Sequence, residues 1–226
     1  DVCSSDLVFK YTPEIPLWAQ LPAHAQEKMI QQFMPGLPGL TIREGRTFID
    51  TSAADFEHQL LAFYEEYMAV VEGNKDLADT RFVLSSDEAR GFGTLLERLP
   101  KSPNPPVAVK GQVTGPFTFC TGVHDENKNV IFYNEQLKDA AVKLLALKAM
   151  WQVRQLSGSG CPVLMFCDEP ALAGYGSSEL ISISREETLA CLSEVVDAIH
   201  GQGGLAGIHV CANTDWSLVI ESGVDV

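Results

Sequence analysis

Two periods of hydrophobic spacing alternate along the chain. Residues 15–22, "IPLWAQLP", read as a short apolar strand closed by prolines. Residues 40–50, "LTIREGRTFID", are rich in strand formers with Glu44-Gly45 at their centre, a hairpin signature. Residues 55–73 carry apolar side chains at helical spacing and end on glycine. Residues 85–99 open with a capping Ser85 and early acids, and continue as a second helix despite Gly91 and Gly93. Residues 105–119 read as a buried strand running out into a Gly-Pro turn, and residues 134–160 as a long helix with a glycine-serine stop. A near-continuous apolar strand over 161–172, a helix over 185–204 and a buried strand over 205–210 complete the pattern.

Strands separated by long helices, with the strands apolar on both faces, indicate an α/β fold with a parallel sheet covered by helices. The sheet is either a barrel or a doubly wound layer, and the absence of a glycine-rich phosphate fingerprint after any strand weakens the second. Polar residues gather where the later strands end: Gln112 and Thr114, then Asp168 and Glu169, then His209 and Cys211. A (β/α)8 barrel builds its active site there. The expected fold is therefore a partial (β/α)8 TIM barrel of roughly the first five strands, open at both ends, because a full barrel needs about 250 residues.

The heptad "DVCSSDL" coincides, residue for residue, with a translation of GAC GTG TGC TCT TCC GAT CT, the ligation end of a common sequencing adapter. Residues 1–7 are therefore expected to be non-native, with 8–226 an internal piece of a longer barrel enzyme. A formal charge of -14 without a basic patch argues against nucleic acid and anionic membrane as partners. The six cysteines show no disulfide-framework spacing, which points to a reducing, cytoplasmic setting.

On a strand, residues two apart share a face, so His209 and Cys211 are expected to project together. Imidazole and thiolate are zinc donors, and such a pair can fill two corners of a tetrahedron; the alternative is a buried cysteine beside a hydrogen-bonded histidine. In "CDEPAL" at most one of Asp168 and Glu169 can face a barrel mouth, as a carboxylate for a substrate ammonium or as a general base, or else as a helix cap or salt-bridge partner. "GQVTGPFTF" offers either a close backbone approach to a ligand or an ordinary strand-to-helix turn. His124 and Asp125 fall in a polar segment that reads as a solvated lid, and His24, His58 and His200 read as surface residues without a chemical role.

"VTGPFT", "DEPAL" and "HVCANTDW", in this order and spacing, resemble the catalytic domain of cobalamin-independent methionine synthase. They resemble more closely the single-barrel relatives that include uroporphyrinogen decarboxylase and the zinc methyltransferases acting on methylated corrinoids. The resemblance runs from about residue 15 onward. It implies a zinc-dependent enzyme that moves a methyl group from a corrinoid or folate carrier, in some cases on a corrinoid protein, to a thiol such as homocysteine. His209 and Cys211 match the first two zinc ligands, and Asp168 matches the aspartate that holds the amino group of homocysteine. The family's remaining zinc cysteine and its proton-donating histidine align beyond Val226, so no catalytic proton donor is assigned within this chain, and the chain by itself is expected to show little or no activity. A second ammonium contact, a glutamate in the family, aligns with Gln31 in "MIQQF", and the lost charge weighs against homocysteine itself. A tryptophan of the folate-using enzymes aligns with Gly122, which weighs against folate. Two further readings stay open: a metal-free uroporphyrinogen decarboxylase-like barrel, and a non-catalytic barrel that binds a corrinoid or thiol.

Overall fold

A computed structural model describes residues 2–177, 180 and 182–226. Asp1 of the adapter-like heptad and the side chains of Val2 and Cys3 lie outside the description. The chain opens on helix α1 (Val2–Tyr11), an element the periodicity does not announce; it packs on α3 through an Asp6–Arg98 ion pair, with the Arg98 guanidinium over the Phe9 ring. The hairpin forms as expected from β1 (Leu40–Arg43) and β2 (Arg46–Ile49), antiparallel, with Glu44 and Gly45 both at positive φ. Helix α2 (Phe56–Val71) buries Phe56, Leu60 and Phe63, matching its pattern.

Helix α3 is shorter than expected, Arg90–Arg98. Ser85 starts a separate turn instead, in which the Glu88 carboxylate accepts from the Ser85 amide and the Ala89 amide reaches back to the Ser85 carbonyl. The strand expected over 105–119 is only β3 (Val109–Thr114), because Pro116 lacks an amide hydrogen and instead opens helix α4 (Pro116–Gly122). Helix α5 (Glu135–Ser157) is capped by Asn134, and β4 (Val163–Asp168) gives way to a 3-10 turn, Pro170–Gly174. Helix α6 (Arg185–His200) starts with a capping box between Ser184 and Glu187. Strand β5 (Leu205–His209) and the short α7 (Trp216–Glu221) complete the elements.

The fold is mixed α/β, with a three-stranded parallel sheet in the order β3-β4-β5 and the separate hairpin. Two further segments flank the sheet in the same direction. Leu17 bridges Lys110 in parallel, and the Lys110 amide donates to Pro16 O at 2.9 Å. This bridge is all that forms of the strand expected over 15–22, where prolines at both ends remove ladder donors. On the other side the Asp225 and Val226 amides donate to Ala206 O, and the Ile208 amide to Val226 O. No barrel closes among the described residues.

The two faces of the sheet differ, which corrects the expectation of strands apolar on both sides. Val109, Val113, Met165, Cys167, Ala206 and Ile208 are buried on the face covered by α5 and α6. Gly111 belongs to it, since a Cβ there would meet Met165, Gln152 and Leu156. Gln152 is fully buried and ties this layer together: it accepts from the Trp18 indole at 3.1 Å and donates to Gln112 O at 2.9 Å. The opposite face carries three rows in register: Lys110, Leu164 and Leu205; then Gln112, Phe166 and Gly207; then Thr114, Asp168 and His209. The segment after α4, expected to be a solvated lid, is instead a folded turn. His124 bridges Val130, the Ile49 amide donates to His124 O, and the Glu126 carboxylate accepts from the amide and hydroxyl of Thr51.

Candidate ligand site at the strand ends

The third row of the open face places Thr114, Asp168 and His209 side by side at the carboxyl ends of β3, β4 and β5. Their backbones continue the ladder: the Gly115 amide donates to Asp168 O and the Glu169 amide to His209 O, both at 2.8 Å. Thr114 is buried with its hydroxyl donating to Met29 O at 2.6 Å, so it anchors the Met29 segment over the end of β3. The Asp168 carboxylate takes no hydrogen bond from any described residue. Burial raises its pKa, while the charges of Lys110 and His209 pull it back down.

Glu169 goes the other way, as alternation along a strand requires. It is fully buried and accepts from the Phe117 amide at 2.9 Å, the Thr118 amide at 2.7 Å and the Thr118 hydroxyl at 2.6 Å. The alternatives open for "CDEPAL" therefore divide between its two acids: Glu169 satisfies the first amides of α4, and Asp168 faces the open side. The glycine of "VTGPFT" serves the same contact. A Cβ on Gly115 would overlap the Glu169 carboxyl group, so the close approach is made by the chain's own carboxylate. Burial pushes Glu169 up to about 7 even though all three contacts are donors that favour the ionised form.

His209 and Cys211 are both exposed. The strand stops at His209, Val210 lies outside it and Cys211 sits in a bend, so strand alternation no longer dictates that the two side chains share a face. Leu205, at 41% exposure, and His209 also correct the expectation of a wholly buried strand. A catalytic zinc takes three protein ligands. His209 and Cys211 are two donors of suitable chemistry, and among the described residues no three His, Cys, Asp or Glu side chains group closely enough to hold a metal. These residues alone do not complete a zinc site.

Gln31 stands apart from Asp168. It is exposed in a 3-10 turn, Gln31–Phe33, and lines a groove of about 540 Å³ with Lys28, Met34, Ile42, Ser85 and Glu88. Its neighbour Gln32 is the buried one, accepting from the Gln20 amide at 2.7 Å and donating to Glu88 O. His200, read as a bystander, pairs with Asp225 at 2.8 Å and holds the segment beside β5.

Lys110 was absent from the sequence candidates and lies on the open face, its Nζ 4.8 Å from the centroid of the Phe166 ring. The signal was its two-residue spacing from Gln112 and Thr114, concealed when β3 was read as apolar on both sides. No protein-family model, curated protein or solved structure matches this chain.

Proposed function

We propose that this chain forms part of a (β/α)8 barrel of the zinc methyltransferase type, with its ligand site at the carboxyl ends of β3, β4 and β5. The observation that carries this reading is the register of Thr114, Asp168 and His209 across three parallel strands, with Cys211 two residues further on. The two flanking parallel segments support the barrel, since they extend the sheet in chain order on either side. His209 and Cys211 would supply two zinc ligands, and the remaining donor would come from outside the described residues. A zinc ion held there would lower the pKa of a bound thiol and so present a thiolate at neutral pH.

The chain's own residues would then position the acceptor. Asp168 is half-buried and without a hydrogen-bond donor of its own, which suits a carboxylate that receives a substrate ammonium. Thr114 would hold the Met29 segment as a wall beside it. The five described cysteines are free thiols, which supports a reducing compartment such as the cytoplasm. Among the described residues, no helix is long and apolar enough to cross a membrane.

The test is methyl transfer to homocysteine from methylcobalamin, and separately from a methyl-folate, with zinc present, by a longer enzyme that carries this segment together with the missing zinc ligand and proton donor. The expected outcome is thioether formation with at least one carrier, lost on chelation and in both His209→Ala and Cys211→Ala. Turnover that survives both substitutions, or no turnover with either carrier, contradicts the proposal.

A further inference from the structure

Lys110 starts in the lowest row of the open face, and its amine lies against the ring of Phe166, a residue of the next row. Asp168 stands in the row above that. The two charges act on each other, each opposing the effect of burial on its partner, but they are too far apart to form an ion pair. Among the described residues the Lys110 amine has no ion-pair partner and no hydrogen-bond acceptor. Between them in height lies Gln112, only 2% exposed. Its amide nitrogen donates to Trp18 O at 3.3 Å, which fixes the amide orientation and leaves Oε1 as a buried acceptor without a donor. Gly207 completes this middle row without a side chain, and a Cβ there would stand 2.8 Å from the Phe166 ring. The open face thus offers a cation below, a carboxylate above, an unused acceptor between them and an aromatic floor.

We propose that Lys110 is a specificity-determining residue that holds the anionic end of a zwitterionic ligand whose ammonium is received by Asp168. This deepens the thiol-acceptor reading and rests on it for the identity of the site, not for the zinc. The argument is one of charge spacing. A purely anionic ligand meets Asp168 as a like charge, and a purely cationic one meets Lys110; only a ligand with both ends satisfies both. A charge-assisted contact on a half-buried face discriminates by about tenfold to a hundredfold.

The test measures binding to the chain by calorimetry with four probes: homocysteine, mercaptobutyrate (no ammonium), aminopropanethiol (no carboxylate) and aminobutyrate (no thiol). Homocysteine is expected to bind at least about tenfold more tightly than mercaptobutyrate or aminopropanethiol. Lys110→Met keeps an unbranched stem over Phe166 and is expected to erase only the preference over aminopropanethiol. Lys110→Arg retains the charge and is expected to retain the preference. A Lys110→Met chain with unchanged preferences overturns the assignment, as does failure of both zwitterions to bind. Aminobutyrate binding as tightly as homocysteine leaves Lys110 in place and removes the thiol from the proposed function. Tight aminopropanethiol binding without homocysteine binding does the reverse.

Discussion

Glu169 and Gly115 illustrate how a fragment of sequence that looks catalytic can be structural. Replacing Glu169 by Gln puts an NH2 group against donors and leaves it without an acceptor; the expected cost is about 1–3 kcal/mol, read from urea unfolding. Gly115→Ala would press a methyl group into the same carboxyl group and should cost about 1–3 kcal/mol for overpacking. The pH dependence has a definite sign. Glu169 is raised from 4.5 to about 7, so between these values the unfolded chain gives up this proton while the folded chain keeps it. Its contribution is therefore a loss of stability as pH rises from about 4.5 to about 7, level on either side. That component should vanish in Glu169→Gln, and an identical profile in the variant would contradict the assignment. Which of two adjacent acids faces inward was legible only as a choice. Alternation says they diverge, and the packing of α4 decides the direction.

Among the elements, the long helices were legible because burial on one side imposes a 3.6-residue period. Phe56, Leu60 and Phe63 on α2 are examples. The short elements were not. Helices α4 and α7, seven and six residues long, are too brief to establish a period. α1 falls where the adapter-like heptad gave no reason to expect an element. The two glycines of α3, which weakened the helix reading, have opposite roles. Gly91 lies against the backbone of Ala19, where a Cβ would overlap the carbonyl oxygen, whereas nothing stands within 4 Å of a Cβ on Gly93. Gly91→Ala should therefore destabilise by about 1–3 kcal/mol, and Gly93→Ala should stabilise by about 0.5–1 kcal/mol through helix propensity. Urea midpoints moving in the same direction for both variants would contradict this account. The strand ends follow the same logic of scale: β3, β4 and β5 were each located, but the rows that face the open side emerge only from cross-strand register.

For the molecule as a whole, the mixed α/β class and the parallel sheet follow from the alternation of buried strands and long helices. The partial barrel, argued from the three strands and the two flanking segments, is part of the proposal. Candidate chemistry was legible in the same graded way. Asp168 and His209 were named from their positions at strand ends and do come together in one row. Cys211 follows beyond the strand, and Gln31 lies on a separate groove. Lys110 and Gln112 acquire their meaning only from the sheet. The central claim is that the end of β5 is a metal-binding position. X-ray absorption at the zinc edge, on the chain incubated with one equivalent of zinc, tests it most directly. The expected result is a bound ion with one imidazole nitrogen and one protein sulfur among its ligands, the sulfur lost in Cys211→Ala and the imidazole in His209→Ala. Zinc that stays hydrated, or a coordination shell unchanged by both substitutions, would contradict the claim.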